Sequence, residues 1–268
     1  MKNIEIIDFT IKELSNRQRK IRIFLPDGYY QNLRQRYPVL YMHDGQNLVD
    51  PSSYSGYSWD IARTLSRLQE EKIIDGIIVV GIDSDPDYRI PEYTHVISKK
   101  ALKFVKNNNN NSTFLPEAHL YGKFIVDTLK PYIDTNYRTK LERINTGIAG
   151  SSCGGNVSLY LGSIYNDVFG VIGAFSPAYW IVKEDIFERL TAKDFDKQTK
   201  IYHDMGGKEA PFALLTYIRN AKKIASILDS KQLDDNHHKF VIDWKATHTE
   251  LFWQSRFPEF IKWAYGNK

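Results

Sequence analysis

Hydrophobic residues follow two different patterns along this chain. Near the amino terminus, the segments IEIIDFTIKEL and RKIRIFLP alternate apolar and polar positions, which is typical of half-buried antiparallel strands in a hairpin. Further along, YPVLYMHDG and DGIIVVGID are short and almost continuously apolar, as are strands that are covered on both faces. Between them, SWDIARTLSRLQEEK places Ile61, Leu65 and Leu68 on one helical face. These segments predict a strand-helix-strand unit.

The alternation of strands and helices continues to the carboxyl end. Further strands are predicted in RINTGIAG, VIGAFSP, KIYHDMG and HKFVIDW. Further helices are predicted in GKFIVDTLKPYI, from Gly154 to about Tyr165, in FALLTYIRNAKKIASILD and in ELFWQSRFPEFIKWAYG. About eight strands with interleaved helices indicate an α/β fold, in which helices cover both faces of a mostly parallel sheet. We expect residues 1–268 to form a single domain, because no break in the pattern indicates a boundary.

One long connection, from Asp83 to Pro116, interrupts this order. We expect a loop insertion around residues 84–116, which contains the low-complexity stretch KNNNNNS from Lys106 to Ser112. The connection follows an inner strand, on the edge where α/β sheets bind ligands, so this stretch is a candidate lid. Within the same connection, Arg89 and Glu92 are expected to form a local ion pair that orders the loop.

Composition narrows the class of protein. The 268 residues are 42% hydrophobic, which is enough for the core of an enzyme-sized globular protein. The 36 basic and 32 acidic residues give a net charge of +4, and the basic residues form no long run, so a nucleic-acid partner is not indicated. A single cysteine excludes an internal disulfide framework and a multi-cysteine metal site. We expect no metal ion and no other cofactor.

The amino-terminal segment MKNIEIIDFTIKEL has acidic residues among its apolar positions, whereas a signal peptide has an unbroken apolar core. No window approaches the roughly 18 to 20 apolar residues of a membrane-spanning helix. The sequence therefore predicts a soluble, cytoplasmic protein without a membrane partner.

The sequence GSSCG, residues 150–154, matches the G-x-S-x-G pattern between a predicted strand and a predicted helix. A serine hydroxyl attacks only when a base takes its proton, and a sharp turn projects the side chain toward that base. In this register Ser152 is the nucleophile, and the backbone amide of Cys153 is an oxyanion donor. A nucleophilic Cys153 would shift the frame and put Ser151 where the first glycine belongs. A Gly-Ser-rich turn without catalytic function would also produce this pattern, so the prediction depends on partner residues.

Partner residues follow other predicted strands. His248 lies between the last strand and the final helix, where the order serine, acid, histidine places the base. Two carboxylates compete for the acid: Asp204 ends the strand KIYHDMG, and Glu209 lies in the loop beyond, with the better reach to the histidine. After the third strand, YMHDGQN supplies a second oxyanion donor, most simply the amide of Gln46.

Six segments occur in the order typical of one known family: YPVLYMHDGQNLVD, IIVVGIDSDPDYRIPEYT, LKPYIDTNYRT, IAGSSCGGNVSLYLG, AFSPAYW and HTELFWQSRFPEFIKWAY. With them the chain resembles the α/β-hydrolase esterases that include feruloyl and acetylxylan esterases, esterase D, enterochelin-type esterases and mycobacterial mycolyltransferases. The resemblance implies the α/β-hydrolase fold, with Ser152, Glu209 and His248 at the family's nucleophile, acid and base. Trp180 corresponds to an aromatic position near the family's pocket, although a buried core tryptophan is the alternative. Cys153 replaces the methionine that is common in the family.

We therefore predict a serine carboxylesterase that hydrolyses a small-molecule ester through an acyl-enzyme. Two alternatives remain open at this stage: acyl transfer to an alcohol on the same fold, and a non-catalytic α/β-hydrolase module that only binds. Fold-level similarity does not choose among acetyl, feruloyl and trilactone esters.

Overall fold

A computed structural model describes residues 4–96, 99, 102–103, 115–210, 214–231 and 234–267. The candidate lid at residues 106–112 lies outside the described residues. The described strands are β1 Ile4–Ile11, β2 Arg17–Phe24, β3 Val39–His43, β4 Ile78–Ile82, β5 Thr146–Ser151, β6 Val171–Phe175, β7 Lys200–Gly206 and β8 His238–Asp243. They form one eight-stranded sheet in the order β1-β2-β4-β3-β5-β6-β7-β8.

The pairing of the strands confirms the predicted mixed sheet. β1 and β2 form the antiparallel hairpin, and β2 also pairs antiparallel with β4. All pairs from β4 through β3 to β8 are parallel. The carboxyl ends of β3 and β5 to β8 therefore meet at one edge of the sheet, which is where α/β proteins place their ligand sites.

Helices connect the parallel strands. They are α1 Ile61–Glu70, α2 Arg89–Glu92, α3 Ala118–Lys123, α4 Lys130–Asn136, α5 Cys153–Ile164, α6 Tyr179–Ala192, α7 Leu214–Asp229 and α8 Glu250–Tyr265, and a π-helical stretch, Phe124–Leu129, joins α3 to α4. The sequence pattern did not predict α6. This helix contains a kink at Val182, with φ −121° and ψ 18°. No helix of the described residues is long and apolar enough to cross a membrane.

Both faces of the sheet are covered, as the continuous apolar runs predict. Successive side chains of a strand point to opposite faces, and in β3 Val39 and Tyr41 join one buried cluster while Leu40 and Met42 join another. Residues of α1 and α8 complete the second cluster, and residues of α3 to α7 complete the first. The structure is a three-layer α/β fold of the α/β-hydrolase type.

The predicted ion pair between Arg89 and Glu92 is wrong. Arg89 instead holds Asp44 through two hydrogen bonds, from Nε to Oδ1 at 2.6 Å and from Nη2 to Oδ2 at 2.8 Å. The fully buried Glu92 accepts from Arg19 Nη2 at 2.8 Å and from Arg17 Nη1 at 3.0 Å. A buried carboxylate is tolerated only when it is paired, and these partners come from distant segments of the chain.

Candidate active site

Ser152 occupies the sharp turn between β5 and α5. Its backbone has φ 58° and ψ −121°, a conformation that L-residues rarely adopt, and its side chain is half-buried. Such backbone strain persists only where the surrounding structure holds it, and it is typical of a nucleophile elbow. Ser151, the last residue of β5, is buried, and Cys153 begins α5.

The two glycines of the G-x-S-x-G pattern have different surroundings. A Cβ atom on Gly150 would lie 2.8 Å from Cδ2 of His43 and 3.1 Å from the carbonyl carbon of Gly154. A Cβ atom on Gly154 would lie 3.4 Å from its nearest neighbour, Cβ of His43, which is an ordinary contact. The close approach of β5, β3 and α5 therefore requires glycine at position 150 and not at position 154.

Glu209 and His248 are joined by a hydrogen bond of 3.0 Å between Oε2 and Nδ1. The carboxylate side chain is fully buried, and the imidazole is 22% exposed. The ring of His248 packs edge-on against Trp253, with the centroids 5.1 Å apart. An ionised carboxylate can only accept, so Nδ1 of the neutral ring carries the proton and Nε2 is left as a proton acceptor.

Asp204, the competing carboxylate, has other partners. It is fully buried and accepts from Arg256 through Nε at 2.7 Å and Nη2 at 3.1 Å. It also accepts from the hydroxyl of Tyr202 at 2.8 Å and from the amide of Ser176 at 2.8 Å. These contacts hold β6, β7 and α8 together, and of the two carboxylates Glu209 is the one bonded to His248.

Backbone contacts connect the serine turn to the carboxylate. The amide of Ser152 donates to the carbonyl of Phe175 at 2.9 Å, and the amide of Ala178 donates to the carbonyl of Ser152 at 3.1 Å. Between these two residues, the hydroxyl of Ser176 donates to Oε1 of Glu209. The ends of β5 to β8 thus bring Ser152, Glu209 and His248 to one edge of the sheet.

Gln46 lies in a short 3-10 turn, Gly45–Leu48, that follows β3 on the same edge. Its side chain bonds twice to Ser84: Nε2 donates to Oγ at 2.7 Å, and Oε1 accepts from the amide at 2.9 Å. Asp44, which precedes the turn at φ 55°, is fixed by Arg89. Amides in the first turn of a helix have no intrahelical acceptor, so those of Gln46 and Cys153 remain available to an anion.

The thiol of Cys153 is buried, and burial raises its pKa although the charge of Arg89 opposes this. A buried thiol that keeps its proton is a poor nucleophile. Trp180 lies in the first turn of α6, partly buried and packed against the core. Its position in the first turn of α6 fits a residue that lines a pocket, and its packing fits a residue of the core.

His43 is unsuited to act as a base. It is buried between β3 and α3, where Nδ1 lies 2.9 Å from the hydroxyl of Tyr121. Burial, and to a lesser degree the charge of Arg89, lowers its pKa to about 3. Within the described ranges, no group of three or more His, Cys, Asp and Glu side chains could hold a metal ion.

Three residues of this site were missed by the sequence analysis: Ser176, Trp253 and Arg256. All three are buried, and both other side chains donate to the hydroxyl of Ser176. One signal in the sequence could have identified Ser176 as a site residue. It directly follows β6, at the edge of the sheet where Ser152 and Glu209 also follow their strands. Its hydrogen bonds could not be read from that position.

The fold is that of the α/β-hydrolase esterases. A model of the family described as "Putative esterase" matches residues 12–264, so the chain belongs to that family, and the predicted carboxylic ester hydrolase is confirmed at this level. Protein YbbA of Bacillus subtilis (strain 168) is 22% identical over 252 residues, which are 92% of this chain and 93% of that protein.

Two solved structures have the same fold. An IroE-like serine hydrolase from Shewanella oneidensis superimposes with a TM-score of 0.76 at 21% identity, over 98% of this chain and 79% of that one. A ferulic acid esterase superimposes with a TM-score of 0.72 at 17% identity, over 98% of both chains. The chain is similar to both proteins across nearly its whole length.

Proposed function

We propose that this esterase is a serine hydrolase that works through an acyl-enzyme, with Ser152 as nucleophile, His248 as base and Glu209 as acid. The observation that carries the proposal is the hydrogen bond of 3.0 Å between His248 and Glu209, at the sheet edge where Ser152 lies in a strained turn. The IroE-like relative is itself described as a serine hydrolase, which supports the same chemistry.

In the proposed reaction, Oγ of Ser152 attacks the ester carbonyl while Nε2 of His248 takes the hydroxyl proton. The ionised Glu209 stabilises the imidazolium, and the amides of Gln46 and Cys153 hold the oxyanion. Each such donor contributes about 3 to 4 kcal/mol to stabilisation of the transition state. The imidazolium then protonates the departing alcohol, and water repeats the two steps to release the acid and restore Ser152.

We propose that the substrate is a small-molecule ester and that Trp180 lines its binding site. Trp180 comes two residues after Ala178, whose amide is bonded to the carbonyl of Ser152, so the backbone that carries this partly buried indole lies near the proposed nucleophile. Because the chain is similar to a ferulic acid esterase, esters of aromatic acids should be among the substrates tested. Rates on p-nitrophenyl esters of increasing acyl length, with feruloyl and catecholate esters beside them, would define the acyl group.

Replacing single residues of the serine turn tests the proposed nucleophile. We expect Ser152→Ala to lower kcat by about 10⁴-fold or more and to abolish labelling by a fluorophosphonate probe. Ser151→Ala and Cys153→Ala are matched controls that should keep labelling and most activity, because neither side chain supplies the attacking oxygen. Equal labelling of Ser152→Ala and wild type would contradict the proposal. Acyl transfer to an added alcohol would be detected as a new ester product in the same assay.

A further inference from the structure

Ser176 forms four hydrogen bonds in a site without exposure to solvent. It directly follows β6, with its backbone in the left-handed region at φ 44°. Its amide donates to Oδ1 of Asp204 at 2.8 Å. Its Oγ accepts from Nε1 of Trp253 at 3.0 Å and from Nη2 of Arg256 at 3.0 Å, and its hydroxyl donates to Oε1 of Glu209. All four partners of Ser176 are groups of the protein itself.

These partners determine the direction of the last hydrogen bond. A serine hydroxyl has one hydrogen to donate and two lone pairs that accept. The indole of Trp253 and the guanidinium of Arg256 only donate, so they occupy both lone pairs. The single hydrogen of Ser176 therefore points to Glu209 and cannot turn away without costing Trp253 its acceptor and Arg256 Nη2 one of its two acceptors. Arg256 is held in turn by its two bonds to Asp204.

The hydrogen bond from Ser176 affects the orientation of the Glu209 carboxylate. Oε1 accepts from Ser176 and from the amide of Gly206 at 2.5 Å, while Oε2 accepts from Nδ1 of His248 at 3.0 Å. Three donors therefore hold the two carboxylate oxygens in place. Because two of them bind the oxygen that faces away from the histidine, they also prevent the carboxylate from rotating out of line with the imidazole.

We infer that Ser176 is a positioning residue of the esterase reaction, which acts on His248 through Glu209. This inference rests on the proposed function. Without the Ser176 hydroxyl, Glu209 is less firmly oriented, so kcat falls.

The test compares Ser176→Gly and Ser176→Ala with wild type on p-nitrophenyl acetate between pH 5 and 9. Glycine suits the left-handed backbone at this position, so Ser176→Gly removes the hydroxyl without backbone strain. Because Trp253 and Arg256 each lose an acceptor, urea denaturation must show that the variants are folded under the assay conditions. We expect kcat to fall by about tenfold or more, the size seen for groups that orient a functional ligand, with KM nearly unchanged.

Ser163→Ala is the matched control, because Ser163 is also buried and bonds to a backbone carbonyl, that of Tyr160, at 2.7 Å. Its kcat and KM should equal those of wild type. If the Ser176 variants keep wild-type kcat, or raise KM as much as they lower kcat, the inference is overturned. A loss of kcat that only reflects a smaller folded fraction, measured by urea denaturation, would mean that Ser176 maintains the fold, and it also overturns the inference.

A double-mutant cycle tests directly whether Ser176 acts on His248 through Glu209. If Ser176 acts through Glu209, then Ser176→Gly should cost less than about twofold further in a Glu209→Gln background. Full additivity of the two losses overturns the inference. An active wild type and an inactive Ser152→Ala variant would establish the proposed function in the same assay, so its failure is distinguishable from failure of the Ser176 inference.

Discussion

Glu209 and Asp204 show how two carboxylates at the end of one strand differ by their contacts. Glu209 binds His248, whereas Asp204 neutralises the buried guanidinium of Arg256. Replacing one carboxylate should therefore affect the reaction, and replacing the other should affect mainly the fold. At the scale of single residues, the partner of a side chain determines its role more than its position in the chain.

We predict opposite outcomes for Glu209→Gln and Asp204→Asn. Glu209→Gln should lower kcat by up to about 10⁴-fold, because the amide neither fixes the tautomer of His248 nor stabilises its charge. Its free energy of unfolding should change little by comparison. Asp204→Asn should lower the free energy of unfolding by about 3 kcal/mol, because it leaves the buried Arg256 with only the more distant carboxylate of Asp243, 3.8 Å away.

Steady-state kinetics and urea denaturation of both variants check this prediction. The assay temperature must lie well below the unfolding midpoint of Asp204→Asn, so that its kcat refers to folded enzyme. A large loss of kcat in a stable Asp204→Asn variant, with an active Glu209→Gln variant, would assign the acid to Asp204.

The turn between β5 and α5 shows what a sequence motif requires at the scale of elements. The G-x-S-x-G pattern contains two glycines, and sequence reasoning treats them alike. In the structure, Gly150 is where β5 meets β3 and α5, and Gly154 has room for a methyl group. Packing therefore requires the glycine before the serine, Gly150, but not the glycine after it, Gly154.

We predict that Gly150→Ala destabilises the fold and that Gly154→Ala is tolerated. The added methyl at position 150 would overlap His43, at a cost of about 1 to 3 kcal/mol. At position 154, inside α5, the higher helix propensity of alanine should offset a mild contact, so the free energy of unfolding should change by less than about 1 kcal/mol. Thermal and urea unfolding of the two variants test this, and equal destabilisation would contradict it.

Buried histidines affect the stability of the whole molecule. His43 on β3 is buried, and its pKa is lowered to about 3 because burial disfavours the imidazolium. His203 on β7 is also fully buried, and burial together with the neighbouring His238 lowers its pKa well below the usual value. Both rings stay neutral in the folded protein under conditions that protonate them in the unfolded chain.

We predict that the free energy of unfolding decreases as the pH falls below about 6.5. Each of these histidines takes up a proton near pH 6.5 in the unfolded chain only, which lowers stability by about 1.4 kcal/mol per pH unit. For His43 this loss continues until the pH reaches its folded pKa of about 3. Above pH 7 both histidines are neutral in both states, so they contribute no slope.

Urea denaturation at intervals between pH 7 and pH 5, where ordinary carboxylates remain ionised, measures this dependence. His43→Gln keeps a polar group near Tyr121 and cannot titrate, so the slope should become smaller by the share of one histidine. An unchanged slope in His43→Gln would show that this histidine is not protected from protonation in the folded protein.

The sequence by itself determined the fold class and most of the elements. Alternating and continuous apolar runs predicted the hairpin and the parallel strands, because burial on one or both faces of a sheet imposes those patterns. The motif around Ser152 and the place of His248 after the last strand were also readable, because a strand, a turn and a helix are local features. The helix α6 was not predicted, and its backbone is kinked at Val182.

Only the tertiary structure decided which side chains are partners. The bond between Glu209 and His248 spans 39 positions along the chain, and that between Asp204 and Arg256 spans 52. Arg89 likewise binds Asp44, 45 positions away, and not the nearby Glu92. Such contacts depend on strand order and on the burial of each charge, and a local pattern carries neither. The sequence favoured Glu209 over Asp204 on reach, and the folded chain shows that Glu209 is the carboxylate bonded to His248.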